Sequence, residues 1–433
     1  MTLASRRRMT VLATMALTAA LVFPATAAAQ DGERKVLEMW THSAGNPAEL
    51  AVYDTIIADF NASQEEYEVQ YVAFPQADYN TSVVGAAQGG LPCLIDIDGP
   101  NTPGWAWSEI LQPLDISQEV VDKILPSATA YWNDELYGVG SFEAAVANYA
   151  RQSDLDELGI RVPTLEEPWT LEEFDAALVA MQDSGKFDYA WNIGMWDQGE
   201  WYPYAFASFL QSFGGDMIDR ETYLTAEGVL NGPEAIAFGE WWQSLFEREL
   251  VPGTSQSTAE GQAGFLDGNY GMQWNGNWVA VAALEALGDD LVFLPAPDLG
   301  NGAGTGPTIG GQSWVFGMSA DCEYPEGANA YLEFALQPQY LAAWSNTTGL
   351  IPASAEALEL TENYQEGGPL NVFFGLSEAQ TVLRPPTPGY PTLALIFRQA
   401  LTDIADGADV VSTLDAAVDE IEADIEANGG YGN

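Results

Sequence analysis

Near its amino terminus the chain alternates strand-like apolar runs with helix-like segments. The strands are predicted, in order, from "KVLEMW", "YEVQYVAF" and "LPCLIDID", and the first of them covers Val36–Trp40. Between them, the apolar residues of "PAELAVYDTIIADFNAS" and "DYNTSVVGAAQGG" have helical spacing. This order predicts a parallel, doubly wound α/β lobe. Because ligands bind beyond the carboxyl ends of such strands, we expect a site at residues 41–46 and 98–101.

The first residues have the pattern of an export signal. Three arginines at residues 6–8 precede an apolar run at 9–23 and then small residues that suit a signal peptidase. We therefore expect residues 1–29 to be a signal peptide, and the run is too short and too rich in alanine for a membrane span. Since no cysteine follows the run, we expect a periplasmic protein without a lipid anchor.

Length and charge narrow the classes of protein further. Removal of the signal leaves about 400 residues, which favours two domains over a single core. The chain has 63 acidic and 13 basic residues, for a formal net charge of −50. Such a surface repels phosphate backbones and anionic lipid heads, so we expect neither nucleic acid nor a membrane surface as a partner.

The sequence has no recognisable catalytic or metal-binding signature. His42 is the sole histidine, so it is the one base available to a catalytic triad, and no G-x-S-x-G motif occurs. "DIDG" at 96–99 begins like a calcium loop but lacks the later ligands. A glycosidase pair can be neither named nor excluded among so many carboxylates. We therefore predict no catalytic residue, no metal and no cofactor.

Two later segments have a distinct composition. Residues 296–312 are dense in glycine and proline, but a dinucleotide-binding loop requires a following helix, whereas strand-like "SWVFGMSA" follows here. We predict a linker or hinge. The end of the chain, "LTDIADGADVVSTLDAAVDEIEADIEAN", predicts a pair of acidic amphipathic helices.

Two cysteines, Cys93 and Cys322, are present. The oxidising compartment of an exported protein permits a single disulfide, and two buried thiols are the alternative.

Several short segments place aromatic rings beside amides, carboxylates or a guanidinium group, close to glycine or proline turns. Saccharides present apolar C–H faces and a rim of hydroxyls, so their sites combine these same groups. Core packing is the alternative for any single ring. The candidate ligand-binding residues from these segments are Trp40, Ser43, Asn46, Glu49, Asp98, Asn101, Glu200, Tyr204, Trp274, Asn275, Trp278, Gly311, Gln312, Arg384 and Tyr390.

The order and spacing of longer motifs resemble a known family. The motifs are "GAAQGGLPCLIDIDGPNTPGWAWSEILQPLD", "LYGVGSFEAAVANYARQSDLDELGIRVPTLEEPWTLEEF" and "LQSFGGDMIDRETYLTAEGVLNGPEAIA". The chain is similar, over nearly all of its mature length, to the extracellular solute-binding proteins of carbohydrate ABC importers, the family of the maltose-binding protein. The resemblance implies two lobes joined by crossing segments, with a sugar held in the cleft and closure by hinge bending.

The resemblance also suggests roles for particular residues. It implies Asp98 as a ligand-binding aspartate and Glu143 at the first crossing between the lobes. It implies Tyr204, Trp278 and Tyr390, with Arg384 nearby, as aromatic platforms, and "QWNGNW" as a sugar-stacking turn. The cleft lysine of the family has no counterpart in "THSAGNP", so the ligand is expected to differ from maltose. Because the family places both cysteine-bearing segments in the first lobe, we expect a Cys93–Cys322 disulfide.

The resemblance yields a complete expected architecture. The fold class is α/β, a two-lobed periplasmic-binding-protein fold of type II, in which each lobe is a doubly wound sheet flanked by helices and the ligand cleft lies between the lobes. We expect the first lobe at 30–142 and 311–352, and the second lobe at 143–310, ending in the hinge linker, and at 353–433.

The expected function is that of a monomeric, non-enzymatic receptor. It captures a small carbohydrate and delivers it to the membrane permease of an ABC importer. Two alternatives stay open, a secreted carbohydrate-active enzyme and the same fold binding a polyol, glycoside or other osmolyte.

Overall fold

The computed structural model describes most of the chain beyond the predicted signal peptide, at residues 34–195, 199–253, 258–302, 304–312 and 314–432. The predicted signal peptide, residues 1–29, lies outside these ranges. Within them, no helix combines the length and the apolar character needed to cross a membrane.

Strands form two main sheets and two short ladders. The strands are β1 (Lys35–Thr41), β2 (Tyr67–Ala73), β3 (Leu94–Asp98), β4 (Leu111–Gln112), β5 (Thr129–Trp132), β6 (Glu135–Val139), β7 (Phe142–Glu143), β8 (Val146–Arg151), β9 (Tyr189–Asn192), β10 (Tyr270–Gly276), β11 (Leu291–Leu294), β12 (Ile309–Gly311), β13 (Trp314–Ser319), β14 (Ile351–Pro352) and β15 (Thr381–Leu383).

Helices flank both main sheets. They are α1 (Pro47–Ser63), α2 (Gln76–Ala86), α3 (Thr102–Trp107), α4 (Gln118–Val121), α5 (Gln152–Leu158), α6 (Leu171–Asp183), α7 (Ala207–Phe213), α8 (Pro233–Glu247), α9 (Thr258–Leu266), α10 (Ala280–Leu287), α11 (Pro325–Ala335), α12 (Pro338–Thr348), α13 (Ala355–Leu358), α14 (Asn371–Gln380), α15 (Tyr390–Ala405) and α16 (Val410–Ala427). Single 3₁₀ turns occupy Gly99–Asn101, Pro126–Ala128, Asn277–Val279, Gly288–Asp290 and Gly429–Gly432, and a π turn occupies Tyr202–Phe206.

The first lobe is built on a seven-stranded sheet in the order β2-β1-β3-β13-β6-β5, with β4 paired to β13. Strand β1 is parallel to both β2 and β3, which confirms the predicted parallel start. The sheet is nevertheless mixed, because β13 returns from the second lobe and pairs antiparallel with β3. Helix α1 covers the predicted segment, and the Asn46 side chain caps it by accepting a hydrogen bond from the Glu49 amide.

The second lobe is built on a four-stranded sheet in the order β11-β8-β10-β9. Strand β10 pairs antiparallel with β8 and parallel with β9, so this sheet is also mixed. Every residue of β10 is buried. The segment predicted to form a pair of acidic helices, 401–428, contains the last five residues of α15 and all of α16, and α15 begins earlier, at Tyr390. These two helices pack on each other and on α8.

The chain passes between the two cores at three places. Core membership changes between Ala144 and Ala145, between β12 and β13, and again between Ala357 of α13 and Tyr364. Two short ladders lie at these crossings, β7 with β14 and β12 with β15. We propose that the lobes exchange here, close to the expected boundaries at 143, 311 and 353, with α13 belonging to the first lobe because Ala357 packs in its core.

A disulfide joins the ends of two neighbouring strands in the first lobe. Cys93 precedes β3 and Cys322 follows β13, and their sulfurs are bonded. The Ser319 amide donates to the Cys93 carbonyl at 3.0 Å, so the two segments are also held by the backbone. The bond links positions 229 residues apart and encloses the whole segment that builds the main sheet of the second lobe.

Loss of this disulfide should destabilise the protein. Closure of so long a loop restricts the unfolded chain, and removing a native disulfide of this kind costs about 2–5 kcal/mol. We expect the double variant Cys93→Ala/Cys322→Ala to lose that much free energy of unfolding in denaturant titrations. Thiol titration of the unfolded, unreduced wild type should detect no free cysteine, and two free thiols there would contradict the assignment.

Candidate ligand-binding cleft

A cleft of about 370 Å³ lies where the carboxyl ends of β1 and β3 face the second lobe. This is the location expected from the strand order. Both lobes contribute side chains, and the lining residues are His42, Asn46, Glu49, Gln76, Asp98, Phe142, Ala144, Glu200, Trp201, Tyr204, Asn275, Trp278, Gln312, Trp314, Leu350 and Arg384.

A buried guanidinium group joins the two lobes at this cleft. Arg384 donates from Nη2 to Asp98 Oδ1 at 2.7 Å and from Nη1 to Asp98 Oδ2 at 3.0 Å, a two-pronged contact. Nη1 also donates to Glu200 Oε2 at 2.9 Å, and the Tyr390 hydroxyl donates to the same oxygen. Nη2 reaches the Gln312 carbonyl at 3.3 Å.

Burial and charge shift the pKa values of this cluster. Burial opposes the charge of Arg384, but the Asp98 and Glu200 carboxylates hold the pKa of its guanidinium above the usual value. Burial first, and the neighbouring Asp98 charge second, raise the pKa of Glu200 from 4.5 to about 7. One third of the Glu200 side chain is nevertheless exposed, so solvent moderates this effect.

The sole histidine forms a second polar cluster on the first-lobe wall. His42 Nδ1 lies 2.5 Å from Asp96 Oδ2, and Nε2 lies 3.7 Å from Glu49 Oε2. The imidazole stacks on the Trp314 indole, with ring centroids 3.6 Å apart and an interplanar angle of 8°. Burial disfavours the imidazolium, but the Asp96 and Glu49 carboxylates outweigh it and raise the pKa of His42.

Three aromatic rings form a corner on the second-lobe wall. The centroids of Trp201 and Trp278 lie 6.0 Å apart, and those of Tyr204 and Trp278 lie 6.2 Å apart. Trp278 is 38% exposed, so its indole presents a face to the cleft. A Cβ on Gly276 would lie 2.0 Å from this ring, so the glycine is what allows the indole to fold back over the strand end.

The expected stacking turn at "QWNGNW" is wrong in one respect. Strand β10 continues through Gly276, and Trp274 belongs to the buried core of the second lobe, where it packs on Phe209 with centroids 5.1 Å apart. Because side chains alternate along a strand, Trp274 and Asn275 point to opposite faces. Asn275 lines the cleft, whereas Trp274 does not.

The structure brings most of the predicted site residues together. Those that line the cleft are Asn46, Glu49, Asp98, Glu200, Tyr204, Asn275, Trp278, Gln312 and Arg384. Two others lie directly behind it. Ser43 donates to Glu49 Oε2 at 2.6 Å, and the buried Tyr390 contacts Glu200 through its hydroxyl. These two hold cleft carboxylates in place and do not act as platforms, which corrects the expected role of Tyr390.

Five predicted residues lie elsewhere for identifiable reasons. Trp40 in β1 is partly buried against Phe74, and its indole nitrogen donates to Glu38. Gly311 lies in β12, where a Cβ would meet Thr381, so its role is a close backbone approach. The other three, Asn101, Glu143 and Trp274, are buried and do not line the cleft.

Several lining residues were not among the predicted ones. The aromatic residues Trp201, Trp314 and Phe142 were missed, as were His42 and Gln76. Trp201 stands between the predicted residues Glu200 and Tyr204, and Trp314 lies two positions after the predicted Gln312, so an aromatic signal was available for both. Phe142 and Gln76 carry no local signal that separates them from ordinary packing or surface residues.

The described part of the chain offers no metal site, since no group of three or more histidine, cysteine, aspartate or glutamate side chains there has suitable geometry. The cleft instead combines ring faces with hydrogen-bonding groups from both lobes. Such an arrangement suits a small polar ligand with some apolar surface.

The sequence is similar to known proteins over most of the chain. Residues 55–369 match the family described as bacterial extracellular solute-binding protein, well over half of the chain. An uncharacterized lipoprotein in the oleD 5' region of Streptomyces antibioticus is 23% identical over 327 residues, which cover 73% of this chain and 70% of that protein.

Two solved structures share the fold. The GacH receptor of Streptomyces glaucescens has a TM-score of 0.74 at 19% identity, covering 91% of this chain and 98% of its own. The cyclic α-maltosyl-1,6-maltose binding protein of Arthrobacter globiformis has a TM-score of 0.73 at 20% identity, covering 91% of this chain and all (100%) of its own. The predicted fold class, two-lobed and of type II, is therefore confirmed.

The ligand-free protein should become more stable as the pH falls from about 8 to about 5. Burial raises the pKa values of Glu49, Glu143 and Glu200, and neighbouring carboxylates raise that of His42. A folded state with raised pKa values binds more protons than the unfolded state, so these groups stabilise at low pH and lose that contribution as the pH rises, for Glu200 through about 7.

Melting temperatures at constant ionic strength measure this effect. Glu200→Gln should reduce the slope between about pH 5 and 7, because one of the groups that titrate in this range is gone. The exposed Glu285 on α10 supplies the control Glu285→Gln, which should keep the wild-type slope. A melting temperature that rises with pH across this range would contradict the expected sign.

Proposed function

Because the chain belongs to the family of bacterial extracellular solute-binding proteins, we propose that it captures a sugar and delivers it to the membrane permease of an ABC importer. One observation carries the proposal. The cleft places exposed ring faces, Trp278 foremost, opposite hydrogen-bonding side chains from the other lobe. A sugar ring supplies the matching surfaces, C–H groups for the rings and hydroxyls for the amides and carboxylates.

The similar structures support a carbohydrate ligand. The GacH receptor forms complexes with acarbose and an acarbose homolog, and the Arthrobacter protein is named for a cyclic maltosyl-maltose. We infer that the present cleft takes a saccharide too. Its wall differs from the maltose-type expectation, because His42 and Glu49 stand where a lysine was expected.

Closure of the lobes would complete the binding site. Trp314 and Glu49 come from the first lobe, and Trp278 and Glu200 come from the second, so a ligand that contacts both walls favours the closed arrangement. The two short ladders, β7 with β14 and β12 with β15, are the connections about which such bending would take place.

The family consists of solute-binding proteins, so the receptor class holds and the alternative of a secreted carbohydrate-active enzyme is set aside. The protein is extracellular in the sense of its family. We further propose a monomer in the periplasm without a lipid anchor, because no cysteine follows the apolar run of the signal. The Streptomyces antibioticus relative is a lipoprotein, so metabolic lipid labelling in a bacterial host is the direct test of anchoring.

A carbohydrate panel tests the proposed function. We expect at least one mono- or oligosaccharide to raise the melting temperature and to give a calorimetric binding isotherm at one site per chain. Mass spectrometry after long incubation at high protein concentration should recover that saccharide unchanged. A polyol or osmolyte binding in place of every sugar would favour the alternative ligand class, and conversion of the sugar to product would contradict a receptor.

The two tryptophans of "QWNGNW" should respond differently to truncation. Trp278→Ala removes an exposed stacking face, so we expect affinity to fall by about 2–4 kcal/mol, on the order of a hundredfold in Kd, with little change in ligand-free stability. Trp274→Ala empties a core position and should cost about 3–5 kcal/mol of folding free energy. Calorimetric titration beside ligand-free melting separates the two effects. Normal sugar binding by Trp278→Ala would remove this ring from the site.

A further inference from the structure

The charged groups of the cleft are unequal in number. Three carboxylates line it, those of Glu49, Asp98 and Glu200, and a fourth, Asp96, lies directly behind His42. Two cations line it, His42 and Arg384, and the lining residues include no lysine. The cleft therefore has an excess of negative charge, inside a protein whose overall charge is also strongly negative.

Both cations are already committed to protein partners. The Arg384 Nη atoms contact Asp98, Glu200 and the Gln312 carbonyl, and its Nε is buried away from solvent. His42 has Asp96 at Nδ1, Glu49 near Nε2 and an indole against its ring face. An anionic ligand would have to displace one of these carboxylates before it could pair with either cation.

Two of the carboxylates still have accepting capacity on the cleft side. Glu49 uses Oε2 for Ser43, and Glu200 uses Oε2 for Arg384 and Tyr390. Within the described residues, no hydrogen bond reaches Oε1 of either group. Neither Oε1 is a fully buried atom without a partner, so each of them is accessible to solvent. One free acceptor oxygen therefore faces the cleft from each lobe. An oxygen of this kind binds a hydroxyl or an ammonium group and repels an anion.

We propose that the cleft selects its saccharide by charge, with Glu49 and Glu200 as the specificity-determining residues. It takes neutral and amine-bearing saccharides and rejects those that carry a carboxylate or a phosphate. The inference rests on the proposed sugar-binding function and narrows its ligand class. Rejection by an excess of like charge is a means of specificity, because the wrong ligand meets repulsion that the right ligand avoids.

Matched sets of saccharides that differ in charge test the inference. Calorimetric titrations at about pH 7.5, above the pKa of about 7 of the Glu200 carboxyl, would compare glucose with glucosamine and glucuronate, maltose with maltose 1-phosphate, and trehalose with trehalose 6-phosphate. In a set whose neutral member binds, we expect the anionic member to bind at least about tenfold more weakly and an amine-bearing member to bind at least as well. An anionic member that binds as tightly as its neutral counterpart would overturn charge selection and leave sugar capture intact. Failure of these sets and of the whole carbohydrate panel to bind would overturn sugar capture, and charge selection with it.

Two variants assign the effect to the named residues. Glu200→Gln and Glu49→Gln each remove one negative charge and keep the shape of the side chain, so we expect the ratio of anionic to neutral Kd to fall several-fold in each. The surface variant Glu285→Gln changes the net charge equally and should leave the ratio as in the wild type. Ligand-free melting identifies a variant that fails to fold, in which case the other variant carries the test. An unchanged ratio in a folded cleft variant would overturn the assignment.

Discussion

The buried ion pair between Arg384 and Asp98 is the contact on which the geometry of the cleft depends. Asp98 ends β3 in the first lobe, and Arg384 follows β15 and leads into α15 of the second lobe, so the pair spans both units. Both side chains are almost fully buried, and removal of one partner would leave an uncompensated charge, which typically costs 3–5 kcal/mol. The ion pair therefore holds the carboxyl end of β3 against the second lobe. Glu200 accepts hydrogen bonds from the same guanidinium group and from Tyr390, so these side chains are ordered as well.

A second contact between the lobes lies outside the cleft and supports the first. The Tyr431 ring meets Trp107 of α3 edge to face at 5.3 Å, and Gly389 leaves room for it because a Cβ there would lie 2.9 Å from the ring. Tyr431 has a left-handed backbone with φ of 57°. A bulky residue keeps such a conformation only where its surroundings fix it. The carboxyl-terminal turn thus contacts the first lobe at Trp107, and the ion pair contacts it at Asp98. Both contacts lie close to Tyr390.

Local patterns in the sequence predicted the structural features that depend on residues close together along the chain. The bounds of α1 and the order β1, α1, β2, α2, β3 follow from apolar spacing, and the Asn46 cap is itself local. The site was harder to predict because it depends on distant pairings. His42 follows β1 in the loop where the site was expected, but its ring is held by Asp96 and by stacking on Trp314, which lies on a strand that returns from the other lobe. Trp274 and Trp278 stand in the same motif, "QWNGNW", which was expected to be a turn. Strand β10 instead continues to Gly276, so Trp274 is part of the strand and lies in the core, whereas Trp278 follows the strand and lies at the cleft.

The charged groups of the cleft share one design, in which the protein holds one side of each group and leaves the other side to the ligand. Ser43 and His42 hold Glu49, Arg384 and Tyr390 hold Glu200, and Asp96 holds His42. Side chains fixed in this way lose little further freedom when a ligand arrives, so more of the contact energy is available for affinity. The cost of burying them is met during folding, as the raised pKa values of Glu49 and Glu200 show. A receptor that must distinguish one hydroxyl-rich ligand from many benefits from this order, because rigid acceptors reward only the hydroxyls that are placed to meet them.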